Sequence, residues 1–516
     1  MQTIRKLFLL VCIVCLVGCG VPAISSPQVA TSPASPVEAE AQGVETSSRP
    51  NILYILADDM SVSDLQFMPK TMELIGTQGV TFDNFFVSMA LCCPSRACML
   101  RGQYPHNTQI VGNLQPDGGY GKFLELGLED STIAVWLQQA GYNTALFGKY
   151  MNGYPGNTAK DVIPTGWTEW YSSVAGNAYE QYNYTLNENG TLVRYGNAPE
   201  DYGTDVYAAK AADFIARSVA EGTPFFAYVS VYAPHDPATP APRHAEMFAD
   251  LTLPQSPSFN ESDMSDKPQG LRNNKPLGET DIALLEQTYR KRAQSLQAVD
   301  EMVANFVAQL EALGQLDNTY IVFTSDNGYH LGEHRLPGGK NMPYEEDIRV
   351  PLLVRGPDVK AGEAVDALTG NIDLAPTFAE WAGISAPDFV DGRSLVPLLR
   401  GENPSTWRDA FLLERGSQTS QTSINVPATP SPTLEGPDSP RDRRPAVNYV
   451  GLRTADYTYI EYANGAVELY DLHADPYQLQ NIAATADPGL LAMLHAWLEA
   501  LRGCSAASCR AAEMQP

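Results

Sequence analysis

Short apolar runs, each leading directly into polar or charged residues, constrain the fold of this chain more than any other feature. Five stand out: Asn51–Leu56, Thr144–Phe147, Phe225–Val231, Tyr320–Phe323 and Val350–Val354. Runs this short, apolar on both alternating faces and bounded by turn-forming residues, predict strands buried on both sides of a parallel sheet. Between them, Ser131–Ala140 and Thr280–Leu313 carry helical patterns. Alternation of the two types predicts an α/β fold: a doubly wound, mostly parallel sheet with helices on both faces.

In open sheets of this kind, ligands bind in the crevice beyond the carboxyl ends of the strands. The residues just past each run are therefore informative. Asp58 and Asp59 come after the first, Lys149 after the second, Pro234-His235 after the third, and Asp326-Asn327-Gly328 after the fourth. Each has an ordinary explanation alone: helix N-caps for Asp58-Asp59, a tight turn for Asn327-Gly328, a surface lysine and a loop histidine. Four strands delivering them to one edge points instead to a site. Asp58, Asp59, Asp326 and Asn327 offer hard oxygen ligands, which suit Ca²⁺ or Mg²⁺ better than Zn²⁺.

The 516 residues carry 34 Lys and Arg against 60 Asp and Glu, a net charge of −26, with 44% hydrophobic residues and a pI near 4.6. That much apolar content excludes a wholly disordered chain. The acidity argues against a nucleic-acid partner, which normally meets a basic face. Only the extreme N-terminus has a long uncharged apolar run, so a polytopic membrane protein is excluded as well. There, Arg5 and Lys6 precede the run Leu7–Val17, the pattern of an export signal spanning residues 1–18. Leu16-Val17-Gly18-Cys19 resembles a bacterial lipoprotein box, which implies a lipid on Cys19 that holds the protein to a bacterial membrane. An ordinary cleaved signal or an uncleaved anchor is the alternative, and all three place the chain outside the cytoplasm. Residues 19–49, rich in Ser, Pro, Ala and Thr, read as a flexible tether. Cys504 and Cys509 are placed to close a small loop in an oxidising compartment.

Cys92, Cys93 and Cys98 crowd into one segment, Leu91-Cys-Cys-Pro-Ser-Arg-Ala-Cys-Met-Leu-Arg-Gly102. Pro94 suits the first position of a helix, where no N–H is needed. Cys92 then lies just before the helix N-terminus, where the dipole favours negative charge. Arg96 is placed to return to the same anion with a forked contact. A zinc or disulfide cluster is the alternative, although the spacings match no common zinc pattern.

The stretch Met89–Asn107, with its C-x-P-S-R core at Cys92–Arg96, resembles the active-site signature of the type I, formylglycine-dependent sulfatases. It is most similar to the branch of N-acetylglucosamine-6-sulfatases and heparan 6-O-endosulfatases. The likeness extends from about Arg49 to about Ala483 and includes Arg49–Asp59, Gly148–Tyr154, Tyr289–Asp300, Thr324–Gly328, Gly339–Pro351 and Leu469–Pro476. It implies an alkaline-phosphatase-like catalytic domain over residues 50–400 and a smaller α+β subdomain over 401–516. A Ser/Thr/Pro/Gln-rich, low-complexity loop at 416–446 interrupts the latter.

The resemblance also implies roles. A maturation enzyme would convert Cys92 to Cα-formylglycine, with Arg96 holding it in place. Asp58, Asp59, Asp326, Asn327 and the converted Cys92 would bind one Ca²⁺. Lys149 and Lys340 would contact sulfate oxygens, and His235 would protonate the departing oxygen. One hydroxyl of the hydrated aldehyde would attack sulfur, and loss of the proton on the second would eject sulfate, a route closed to serine. The implied substrate is a sulfated carbohydrate carrying a 6-O-sulfate on an N-acetylglucosamine-type sugar. Alternatives are an arylsulfatase, a phosphodiester or phosphonate hydrolase, or a non-catalytic glycan-binding lipoprotein. Met151 stands where arylsulfatase-like members carry a histidine two residues after the lysine, which agrees with the glucosamine branch. His106, His330 and His334 are open between structural and substrate-binding roles.

Overall fold

Strand Asn51–Ala57 is buried throughout, and its side chains divide between two cores. Ile52, Tyr54 and Leu56 point into one, and Leu53, Ile55 and Ala57 into the other. This is the period-two alternation of a strand covered on both faces. The computed structural model describes residues 49–416 and 448–514. The expected signal, nearly all of the tether and the low-complexity loop beyond Gly416 lie outside the described residues.

Asn51–Ala57 sits in the middle of a ten-stranded sheet. Thr319–Ser325 pairs with it in parallel on one side and Phe225–Ser230 on the other. Asn143–Gly148 and then Glu169–Gly176 continue the parallel run outward. Antiparallel strands extend both ends: Leu352–Arg355 beside Thr319–Ser325, and the hairpin Tyr184–Glu188/Thr191–Arg194 beside Glu169–Gly176. The predicted strands are all present. The strand Glu169–Gly176 and its hairpin were not anticipated, because Ser172 and Ser173 break the apolar run although both are buried.

Helices Gly203–Ala220 and Glu279–Ala312 cover one face, contributing Phe214, Ile215, Leu296, Val303 and Phe306 to its core. Helices Cys92–Arg101, Ile133–Gln139 and Leu374–Trp381 cover the other. A separate four-stranded antiparallel sheet, Ala410–Arg415, Tyr449–Thr454, Tyr457–Tyr462 and Val467–Asp471, forms the smaller unit. Helix Pro488–Arg502 adds Leu494, Trp497, Leu498 and Leu501 to its core. The expected Cys504–Cys509 loop is closed by a disulfide.

The register of the central strands decides which side chains can meet. Ala57 is level with Ser325, Leu56 with Ser230, and Gly148 with Ser230. The residues after these positions therefore emerge side by side along one edge.

His106, in the short helix Pro105–Thr108 beyond the far end of the Cys92 helix, fastens that stretch to the C-terminal segment. Its Nδ1 lies 2.9 Å from the Glu414 carboxylate, and its Nε2 lies 2.9 Å from the Cys504 carbonyl oxygen. Two acceptors require two donors, which only the imidazolium supplies. Burial alone would lower the pKa of His106, but Glu414 outweighs it and pushes the group up to about 9. A folded-state value above the unfolded 6.5 gives stability that is complete below pH 6.5 and lost as pH rises through about 9. His106→Gln should therefore cost ~3 kcal/mol at most near pH 6, shrinking towards pH 9.5, as read by urea unfolding across that range.

Candidate active site

Helix Cys92–Arg101 begins at Cys92 itself, with the Ser95 N–H bonded to the Leu91 carbonyl at 3.0 Å. Pro94 thus occupies the third helical position, not the first as expected. It costs nothing there, because the N–H groups of the first turn have no partner inside the helix. The Cys93 N–H is taken by Asn113 Oδ1 at 3.0 Å. The helix stops at Gly102, whose left-handed φ of 67° suits glycine. Cys92, Cys93 and Cys98 are all free and buried, so no disulfide forms within the cluster.

The Cys92 thiol faces the strand edge. Its Sγ lies 3.5 Å from Asp58 Oδ1 and 3.9 Å from Asp59 Oδ1, and Lys340 Nζ approaches it to 2.9 Å. Lys340 also bonds Asp59 Oδ1, and Lys149 Nζ donates to Asp58 Oδ2 at 2.6 Å. His235 Nε2 faces Asp59 Oδ2 at 3.5 Å. Its Nδ1 lies 2.7 Å from the Asp236 carbonyl, which makes Nδ1 the donor and leaves Nε2 towards the site. The sharp turn after the strand puts Asp59 at φ 64°, a conformation that costs a non-glycine residue energy and that concentrates at functional sites.

Arg96, completely buried, ties the cluster together. Its Nε donates to Asp326 Oδ2 at 2.8 Å, and Nη1 to Ser230 Oγ at 2.7 Å and the Lys149 carbonyl at 3.0 Å. Asp326 Oδ1 accepts the Asp59 N–H at 3.1 Å, and Asn327 Nδ2 donates to Asp59 Oδ1 at 2.7 Å. All nine residues singled out from the sequence thus meet in one connected cluster.

Electrostatics sort these groups. Burial would raise the Asp58 carboxyl, but Lys149, followed by His235, Arg96 and Lys340, holds it well below the usual range. Asp59 is lowered against burial by Lys340 and His235. Asp326 goes the other way, raised by burial and by Asp58 despite Arg96. Burial also pushes the Cys92 thiol well up, outweighing Lys149 and Lys340. A cysteine held in this way is neutral and a poor nucleophile.

Three supporting residues carry no sequence signal of their own. Tyr179 lays its ring 4.6 Å from that of His235 and 5.1 Å below Lys149 Nζ. Ser230 holds Arg96. Arg292 reaches from the long helix to the Asp59 carbonyl at 2.6 Å and to Asp64. His106, tied to Glu414 and Cys504, is structural. His330 pairs with Asp347 at 2.8 Å and His334 with Glu261 at 2.7 Å.

Residues 50–384 match the Sulfatase family. The chain belongs to the sulfatase family. This sulfatase, a hydrolase of sulfate esters, is 38% identical over 480 residues to the N-acetylglucosamine-6-sulfatase of Capra hircus, covering 90% of this chain and 85% of that one. It is 34% identical over 510 residues to an arylsulfatase of Volvox carteri, covering 89% and 76%. A solved protein in complex with its substrate D-glucosamine-2-N,6-O-disulfate shares the fold at a TM-score of 0.69 and 26% identity, covering 87% of this chain and 97% of that one.

Removing Arg96 leaves the buried Asp326 carboxylate without its ion-pair partner. Arg96→Met should lower stability by ~3–5 kcal/mol, the usual cost of stranding a buried charge, as read from the urea midpoint.

Proposed function

We propose that this sulfatase removes the 6-O-sulfate of N-acetylglucosamine-type sugars, using Cα-formylglycine made from Cys92 and one Ca²⁺. The observation that carries the proposal is the seat of Cys92: the start of a helix, against Asp58 and Asp59, with Lys340 Nζ at 2.9 Å. The sugar specificity draws on the 38% identity to an N-acetylglucosamine-6-sulfatase.

The residues present fit a hard divalent cation. Ligand atoms of Asp58, Asp59, Cys92 and His235 all lie within 4.8 Å of one another. Asn327 Oδ1 is buried with no hydrogen-bond partner, an oxygen left for a cation beside the carboxylates. The ammonium groups of Lys149 and Lys340 rest on Asp58 and Asp59, supplying the positive charge this oxygen cluster demands. Asp58, Asp59, Asp326, Asn327 and residue 92 would hold the ion. The pair of groups supplies an oxygen nucleophile, which the neutral thiol of Cys92 does not provide, and a fixed positive charge beside the sulfuryl oxygens.

The chain's own side chains do the rest. Lys149 and Lys340 bind the sulfuryl oxygens when substrate displaces them from the carboxylates. Arg96 holds Asp326 and the Lys149 main chain in register, and Arg292 fixes the Asp59 turn. His235, its Nδ1 held by the Asp236 carbonyl, turns Nε2 towards the site, where it would pass a proton to the departing sugar oxygen. The negative body of the molecule would repel long polyanions and favour short sulfated fragments. A lipid on Cys19 would hold the enzyme to a bacterial membrane outside the cytoplasm, in the periplasm or at the cell surface.

Mass analysis of the peptide spanning Cys92 from active protein should show its sulfur replaced by the aldehyde oxygen, and an intact thiol in active protein overturns the proposal. Turnover of a 6-O-sulfated N-acetylglucosamine should exceed that of an aryl sulfate and of a phosphonate monoester; a phosphonate preference overturns it equally. Chelation by EDTA should lower turnover at least 100-fold, with Ca²⁺ restoring it.

A further inference from the structure

Lys340 sits in an irregular stretch after the Asn327 turn, ahead of the short helix Glu345–Ile348 and strand Leu352–Arg355. A long, flexible side chain on such a segment does not hold an ammonium group against Asp59 and Cys92 unless something fixes the main chain beneath it. Part of the fixing comes from within the segment. Asp347 accepts the Met342 N–H at 2.7 Å, and the Gly328 N–H bonds the Asp347 carbonyl at 2.9 Å.

Further anchors come from the small C-terminal sheet and the chain after it. Arg415 Nη1 donates to the Asn341 carbonyl at 2.6 Å, beside Lys340 and at a residue with φ 76°. Arg453 Nε holds the Glu345 carboxylate at 2.7 Å, and the Glu345 N–H bonds Gln478 Oε1 at 3.0 Å. At the centre lies Glu468, fully buried on strand Val467–Asp471. Its carboxylate accepts three tyrosine hydroxyls: Tyr344 at 3.0 Å, Tyr470 at 2.8 Å and Tyr462 at 2.6 Å. Tyr470 and Tyr462 belong to the same small sheet as Glu468. Tyr344 alone belongs to the Lys340 segment, where its ring also stacks on His334 at 4.1 Å.

We propose that Glu468 is a positioning residue for Lys340, with the C-terminal sheet setting the active-site ammonium through the Glu468–Tyr344 contact. This deepens the proposed function and rests on Lys340 taking part in turnover. The two tyrosines of the sheet satisfy the rest of the buried Glu468 carboxylate, and Tyr344 alone carries its contact to the segment of the site. Glu468 touches no reacting atom, so its effect on turnover has to pass through the segment that carries Lys340.

Three substitutions separate positioning from mere packing, because each removes one hydroxyl from the same carboxylate. Tyr344→Phe, Tyr462→Phe and Tyr470→Phe should lower the melting temperature by similar amounts. Only Tyr344→Phe should lower kcat, by about tenfold, and Glu468→Ala should lower it at least as much. In a Lys340→Ala background, the residual turnover should no longer respond to Tyr344→Phe, the non-additivity expected of two changes acting through one group. Equal losses of kcat in all three phenylalanine variants, or an undiminished effect of Tyr344→Phe in the Lys340→Ala background, overturns the proposal. Full activity of Tyr344→Phe with an impaired Lys340→Ala overturns the positioning role alone. Full activity of Lys340→Ala overturns the assigned role of Lys340 and this proposal with it.

Discussion

Three carboxylates and three strong cations sealed from water have to be assembled together, because any one of them left alone in the interior carries a desolvation cost that nothing nearby offsets. Asp58, Asp59 and Asp326 balance Arg96, Lys149 and Lys340, three charges against three, and every one of these side chains is buried. The members come from three strand ends, one helix and one loop. Closing the cluster therefore requires the central strands to be in register and the Cys92 helix to be docked. The surrounding fold is constrained by this requirement: the Arg96 contacts to Ser230 and to the Lys149 carbonyl bridge neighbouring strands, and Arg292 locks the turn that aims Asp59.

The same cluster explains how a chain of net charge −26 accommodates an anion. Overall charge acts over distances of about a Debye length, ~8 Å at physiological salt, whereas a buried group responds mainly to its contacts. Within the cluster around Cys92 the balance is neutral before His235 is counted, and a divalent cation would tip it positive. Acidity elsewhere acts on how a substrate approaches and leaves the edge binding of one sulfuryl group unchanged.

What was legible in the sequence depends on the range of each interaction. A buried strand announces itself through its own residues, and the residue after it is automatically at the carboxyl edge, so Asp58, Asp59, Lys149, Asp326 and Asn327 were visible from local pattern. His235 lies four residues beyond its run and was still in reach. Cys92 and Arg96 came from a motif, and Lys340 only from resemblance. Arg292 and Glu468 were not visible, because their partners Asp59 and Tyr344 lie 233 and 124 positions away and nothing in the local pattern distinguishes them from other helix and strand residues. Tyr179 was missed for the same reason. The strand Glu169–Gly176 was missed because buried serines, which form hydrogen bonds inside, look like surface residues in a hydropathy pattern.

The state of Cys92 shows why a cysteine here points away from thiol chemistry. A nucleophilic cysteine needs its pKa drawn down by cations that outnumber nearby anions. Lys149 and Lys340 are close, but Asp58 and Asp59 already hold them, and burial then raises the thiol instead of lowering it. Ionising it would add a fourth negative charge to a balanced set of three and three. An uncharged oxygen-bearing group at the same position adds no such charge and can present its oxygen to a cation. The cluster is thus electrostatically better suited to the proposed conversion of Cys92 than to a thiolate.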